Sequence, residues 1–327
     1  MPEQEYTKSN YYRNIMKRIT LIIFAACLAI AAQAQNLAGT YFFEHRDTCD
    51  LYLDVFEPTP GSETTFNGKD KPTILFVFGG GFIRGERSHE SYHEWFRILN
   101  DNGYKLITVD YRLGLKGVDM SFNPLKIFDT AKATRAAVEM AVEDVFAATR
   151  FIIDNAEGLG VDTRNIVIAG SSAGAMTSLA AEQEICNRTA LASILPEDFN
   201  YAGVMSFAGA IVSVSGKVKY DREPCPMLLL HGTADKTVNY NKIHFGKYGI
   251  FGSSVLAEIA KKNGYSYNIY RYKDHAHDIA DNMQHLWREQ QWFLEQNVME
   301  GHRRIVDALV DDPSVPKWEA ATLDSLY

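Results

Sequence analysis

Gly170-Ser171-Ser172-Ala173-Gly174 sets a serine among small residues, directly after the apolar run Ile166-Val167-Ile168-Ala169 and before a small-residue stretch of helical character. A strand that turns sharply into a helix needs that composition, because glycine permits a tight backbone and close approach of neighbouring chain. The turn lifts the Ser172 hydroxyl above the end of a sheet, where a substrate can reach it. By itself the pattern is weak, since roughly 0.1 chance matches are expected in a chain of this length at average glycine and serine usage. Its flanking elements, and three further groups elsewhere in the chain, give it weight and imply hydrolysis through an activated serine.

A serine hydroxyl is a poor nucleophile near neutrality. It needs a base, an acid to orient that base, and donors for the oxyanion that forms on attack. Phe78-Gly79-Gly80-Gly81-Phe82 closes an apolar run, and its glycines allow backbone N–H groups near a tetrahedral oxygen. Gly80 and Gly81, with Ala173 after the serine, are the candidate oxyanion-hole donors; a plain glycine-rich turn is the bland alternative. His231-Gly232-Thr233-Ala234-Asp235 follows Met227-Leu228-Leu229-Leu230, so Asp235 stands at a strand end as the candidate acid. An aspartate in a turn more often caps local backbone, and His231 reads as structural. Lys273-Asp274-His275-Ala276-His277-Asp278 offers two candidate bases, His275 and His277. Asp274 and Asp278 are poor orienting acids, because a close sequence neighbour seldom points correctly at the ring.

Positioning such groups requires strands ending at one edge. Leu51 to Phe56 alternates as an early antiparallel strand would, and Thr73 to Phe78 is nearly all apolar, as a central strand is. Residues 106–111, 166–169, 202–207, 227–230 and 266–270 read as further strands. Ala131 to Asn155 has helical spacing, and Asn282 to Leu309 also looks helical. Alternation of this kind implies an α/β fold with a mostly parallel central sheet and helices on both faces. Chemistry in such sheets gathers at the carboxyl ends of the strands, where every motif above falls.

The 327 residues, 46% hydrophobic and 23% charged, carry no linker or repeat, and residues 35–327 read as a single domain. Met16-Lys17-Arg18, the apolar run 19–32 and Ala32-Gln33-Ala34 read as a secretory signal peptide, so residues 1–34 are expected to be cleaved. A lipidated Cys27 is the weaker reading, and the run is too short to favour a stable membrane span. Cleavage removes four basic and two acidic side chains and takes the net charge from −8 to −10. Such a surface repels phosphate backbones, which argues against nucleic-acid partners. Cys49, Cys186 and Cys225 remain; three cysteines at irregular spacing make neither a disulfide framework nor a zinc site, and buried thiols are expected.

From about Leu51 to Leu294 the chain resembles α/β-hydrolase-fold esterases of the carboxylesterase and hormone-sensitive-lipase-like type. It also resembles secreted bacterial esterases that deacylate polysaccharides, such as acetyl-xylan and feruloyl esterases. The resemblance rests on the Phe78–Phe82 loop, Val109-Asp110-Tyr111-Arg112-Leu113, residues 144–174, and the order Ser172, Asp235, His277. It favours His277 over His275 as the base, although Ala276 stands where the family has glycine. Phe78 replaces the histidine that opens the family's glycine motif. The resemblance implies a serine esterase without cofactor or metal, acting on small-molecule or polysaccharide esters.

Three rivals are weighed. A peptidase of the same fold usually carries an extra large domain, for which this chain has no room. His89-Glu90-Ser91-Tyr92-His93 fits the zinc pattern H-E-x-x-H, but Tyr92, Trp95, Phe96 and Leu99 form that segment's apolar stripe and no third ligand is evident. A non-catalytic binding protein would not need all the proposed triad members. Loops 114–128, 185–199 and 239–254 are expected to set specificity, with Phe122, Phe128, Tyr240, Phe245, Tyr248 and Phe251 able to stack on sugars or simply pack.

Overall fold

The computed structural model describes residues 36–47, 49–119 and 127–317. The expected leader, Cys27 and Phe122 lie outside the described residues. The described residues form fourteen strands: β1 (Leu37–Arg46), β2 (Cys49–Phe56), the short β3 (Thr65–Phe66) and β4 (Lys69–Asp70), β5 (Thr73–Val77), β6 (Leu106–Val109), β7 (Ile166–Ser171), β8 (Gly203–Phe207), β9 (Ala210–Ser213), β10 (Met227–Gly232), β11 (Lys242–Phe245), β12 (Tyr248–Gly252), β13 (Tyr267–Tyr272) and β14 (Val306–Val310). Nine of them form one sheet in the order β1-β2-β6-β5-β7-β8-β10-β13-β14. β1 and β2 are antiparallel to their neighbours, and the pairs from β6 to β14 are parallel.

The helices are α1 (His93–Asp101), α2 (Ile127–Asp154), α3 (Ala156–Leu159), α4 (Ala173–Cys186), α5 (Ser253–Asn263) and α6 (Trp287–Phe293). From β5 the chain first crosses to β6 on one side, and from β6 it crosses back over β5 to β7 on the other. Right-handed crossovers running in opposite directions put their helices on opposite faces, and the crevice between β5 and β7 is the switch point. Both strands are wholly buried, as their unbroken apolar runs require. α4 is buried along its entire length, which suits its run of small side chains.

The structure departs from the sequence reading in two places. The helix expected over 282–309 breaks up: a 3-10 turn at Met283–Leu286 leads into α6 and a π-helical turn at Leu294–Met299, and then β14 joins the sheet beside β13. Gly301 at φ +69° ends the helical stretch, and residues 306–310 alternate between half-buried and exposed with a period of two. Residues 239–254, expected as a loop, contain the hairpin β11–β12, which continues through β9 as a separate three-stranded sheet.

Candidate active site

Ser172 stands between β7 and α4 with φ 52° and ψ −115°, a left-handed conformation that costs a residue with a side chain roughly 1–3 kcal/mol. Its N–H donates to Phe207 O at the end of β8 (2.9 Å), and its carbonyl accepts from Met176 N (2.9 Å). Two glycines make the turn sterically feasible. A Cβ on Gly174 would lie 2.0 Å from Val77 O, and one on Gly170 would lie 2.3 Å from the Gly174 backbone.

The structure brings together the three side chains that the sequence singled out. Ser172 Oγ lies 2.7 Å from His277 Nε2, and His277 Nδ1 lies 2.7 Å from Asp235 Oδ2. A carboxylate only accepts, so Nδ1 carries the proton and the Nε2 lone pair accepts from the serine hydroxyl. Asp235 is buried and takes four contacts. Its Oδ1 accepts from the N–H groups of Thr237 (2.8 Å) and Val238 (3.1 Å), and its Oδ2 accepts from both His277 and His231 (3.1 Å). Burial pushes this carboxyl up, but the hydrogen bonds from His231 and His277 outweigh it and hold the group down at about 2.

His231, taken from sequence as structural, is fully buried and touches the same carboxylate oxygen. Its Nε2 faces Asp235 Oδ2 and Val238 O, both acceptors, so Nε2 carries the proton. Its Nδ1 accepts from Ser253 Oγ at 2.8 Å. His275 goes elsewhere: its Nδ1 meets Asp278 Oδ2 at 2.6 Å while Asp278 Oδ1 accepts from Ala276 N. That pair staples its own turn and does not reach Ser172.

Contacts that the sequence did not reveal hold the strand ends in register. Ser171 Oγ donates to Ala280 O at 2.8 Å, tying the serine turn to the turn that bears His277. Gly232 lets the aspartate and histidine loops meet, because a Cβ there would lie 2.2 Å from Ala276 O. Two tyrosines clamp the glycine loop: Tyr92 Oη accepts from Gly79 N (3.0 Å), and Tyr111 Oη donates to Phe78 O (2.8 Å). Phe78 stacks on Tyr111 with ring centroids 4.3 Å apart. Burial pushes the Tyr92 phenol up to about 12, which keeps it neutral.

A cleft of about 440 Å³ opens over these groups, lined by Gly80, Gly81, Ser172 and His277 and, on its outer side, by His89 and Ser91. The N–H groups of Gly80, Gly81 and Ala173 make no hydrogen bond among the described residues, whereas that of Gly79 is engaged by Tyr92. Ala173 N–H opens a fourteen-residue helix, where the backbone dipoles also favour negative charge. The arrangement can deprotonate a hydroxyl and accept charge on an adjacent oxygen.

Of the two readings open for the loop aromatics, stacking on substrate or packing, packing fits those that are described: none of them lines this cleft. Tyr240 and Phe251 are buried in the core, and Phe128 packs against Tyr248 on the outside. The zinc-like motif does not form a shared helical face. His89 is extended and precedes a 3-10 turn at Glu90–Tyr92, so α1 begins only at His93. His89 Nδ1 faces Ser91, and His93 Nε2 donates to Ser88 O. Among the described residues no cluster of three or more histidine, cysteine or acidic side chains could hold a metal ion. Cys186 and Cys225 are buried thiols as expected, whereas Cys49 is exposed. No helix among the described residues is long and apolar enough to cross a membrane.

Comparison with known proteins finds likeness to esterases. Residues 53–209 match the model of the BD-FAE family. Para-nitrobenzyl esterase of Bacillus subtilis is 30% identical over 142 residues, which are 43% of this chain and 26% of that protein. Carboxylesterase 5A of Felis catus is 30% identical over 127 residues, 39% of this chain and 20% of that protein. The chain thus spans about a quarter or less of the length of these two relatives. Esterase 2 of Thermogutta terrifontis, 20% identical, superposes with a TM-score of 0.54 over 79% of this chain and 94% of that one. With its mostly parallel nine-stranded sheet, its serine turn after β7 and a BD-FAE match over residues 53–209, the chain is an α/β-hydrolase-fold protein that resembles esterases.

Proposed function

We propose that this protein is a serine esterase that hydrolyses carboxylic esters through an acyl-enzyme, with small acyl groups on carbohydrate or other short-chain esters as substrates. His277 Nε2 takes the Ser172 proton as the oxygen attacks the ester carbonyl. Asp235 holds the imidazole by Nδ1–H and stabilises its charged form. The amides of Gly80, Gly81 and Ala173 receive the oxyanion, a single such donor being worth about 3 kcal/mol in other hydrolases. Collapse of the tetrahedral species breaks the ester C–O bond, and His277 returns its proton to the leaving alcohol. Water, activated by the same imidazole, then attacks the acyl carbonyl and releases the acid and Ser172.

One observation carries this reading: the unbroken chain Asp235–His277–Ser172, with both contacts at 2.7 Å, on the floor of an open cleft. The esterases among its relatives support it, and the leader pattern of residues 16–34 supports export as its setting. Ser172→Ala is expected to lower hydrolysis of p-nitrophenyl acetate about a thousandfold or more while the circular dichroism spectrum is kept. Turnover within tenfold of the parent would overturn the assignment. Acetylated xylan and methyl ferulate, assayed beside the nitrophenyl esters, identify the acyl and alcohol groups.

A further inference from the structure

The Asp235 carboxylate offers about four lone-pair sites, and its two oxygens take donors from Thr237, Val238, His231 and His277, all within 3.1 Å. The backbone N–H groups of Thr237 and Val238 fix Oδ1. They leave the aim of Oδ2 to the two imidazoles that share it. One of these, His277, is the base, whose ring must take up and release a proton in every cycle. His231 is the donor to Oδ2 that stands apart from that proton transfer, since it does not touch Ser172.

The anchorage of His231 suits that part. It lies in β10, where it is fully buried and pairs across the sheet with Arg271 of β13. Both ring nitrogens are committed. Nε2–H reaches Asp235 Oδ2 at 3.1 Å and Val238 O at 3.0 Å, and Nδ1 accepts from Ser253 Oγ at 2.8 Å, where α5 begins. The Tyr240 ring closes the site edge-on, its centroid 5.5 Å away. A flipped or rotated ring would leave buried polar groups unpaired, so the imidazole is held in one orientation and one tautomer. Burial pushes the Asp235 carboxyl up, and the His231 hydrogen bond leads the contacts that bring it down. Ser253, His231, Asp235, His277 and Ser172 thus form one unbroken hydrogen-bonded chain from the start of α5 to the serine hydroxyl.

We propose that His231 is a positioning residue of the catalytic machinery: its Nε2–H holds Asp235 Oδ2 on the line to His277 Nδ1, so that the base keeps its orientation while its charge changes. The inference rests on the esterase reading. It concerns turnover and not substrate binding, because His231 is sealed from the cleft.

Two variants that differ by one methylene separate positioning from packing. The amide of His231→Gln can reach Oδ2, whereas that of His231→Asn stops short, beside Ser253. With p-nitrophenyl acetate, His231→Asn should lower kcat about tenfold or more and leave KM within about twofold. His231→Gln should restore kcat to within about threefold of the parent. In an Asp235→Asn background, His231→Asn should lower kcat by less than about twofold, because the oxygen through which it acts is gone. A parental kcat in His231→Asn, equal losses in the two variants, a loss confined to KM, or full additivity with Asp235→Asn would each overturn the proposal. Ser172→Ala tests the esterase reading separately: if it loses turnover while the His231 series shows none of these effects, the inference alone fails. If the His231 variants do not fold, proton NMR of the parent and of Asp235→Asn replaces them. The imidazole N–H protons of His231, His277 and His275 should be protected from exchange, and Asp235→Asn should shift the first two and not the third. A His231 resonance unmoved by that substitution refutes the link.

Discussion

Asp235→Asn tests the polarity of the whole hydrogen-bond chain, because the structure dictates how an asparagine would sit there. Oδ1 accepts from two backbone amides, so that position must remain the oxygen. The new NH2 then replaces Oδ2, where it faces the Nε2–H of His231 and the Nδ1 of His277. His277 can accept from it only by moving its proton to Nε2, which then presents a donor to Ser172 instead of a lone pair. The wrong tautomer should lower kcat about ten-thousandfold, which corresponds to about 5 kcal/mol of barrier. His231 keeps its proton, since Val238 O also requires a donor, and a donor–donor conflict remains.

Stability should fall as well. The native carboxyl is held from 3.8 down to about 2, and that shift corresponds to about 2 kcal/mol favouring the folded ionised form. Because the folded value is depressed, this contribution is complete above about pH 4 and is lost as pH falls through 2. Steady-state hydrolysis of p-nitrophenyl acetate and urea unfolding at pH 7 and pH 2.5 measure both quantities. A variant within tenfold of the parent in kcat would show that Asp235 does not set the histidine's tautomer. A stability gap that does not narrow toward acid would show that the aspartate's charge is not what the fold uses.

Tyr92→Phe leaves the buried Gly79 N–H without an acceptor, so it should cost about 1–3 kcal/mol in urea unfolding and lower kcat more than it changes KM; unchanged values would dismiss the tyrosine clamp. Gly174→Ala should destabilise despite alanine's better helix propensity, because its Cβ would lie 2.0 Å from Val77 O; equal or greater stability in the same assay would contradict the packing. Cys186 and Cys225 should resist iodoacetamide at pH 8 in the native protein and react after denaturation, since burial pushes both thiols upward; mass spectrometry of the native sample finding either adduct would be the contrary result.

Where chemistry coincides with local pattern, the chain is readable. The serine turn, the glycine loop and the aspartate and histidine loops each follow a short apolar run, so periodicity locates them at strand ends. What failed depended on partners distant in sequence. β14 is a strand because β13 offers it a parallel edge, although residues 282–299 before it are helical in pattern. The hairpin β11–β12 has an exposed outer strand and needs β9 to complete its sheet. His231 illustrates the same limit, since nothing in its neighbourhood says that it and His277, 46 positions away, share one carboxylate oxygen.

Phe78 shows how a local departure from a family pattern is absorbed. A phenylalanine side chain there cannot make the hydrogen bonds of the histidine that opens the family's glycine motif. In the fold the hydrogen bonds come from two tyrosines on different elements: Tyr92 lies at the foot of α1 and Tyr111 lies just past β6. Each engages a backbone group immediately before Gly80, and Phe78 adds its ring to the Tyr111 stack. Gly79 N–H is thereby engaged by the tyrosine, whereas Gly80 and Gly81 line the cleft and their N–H groups make no hydrogen bond among the described residues. The clamp therefore does two things at once: it ties the glycine loop to α1 and to the end of β6, and it leaves two amides of the three-glycine run without a protein partner among the described residues.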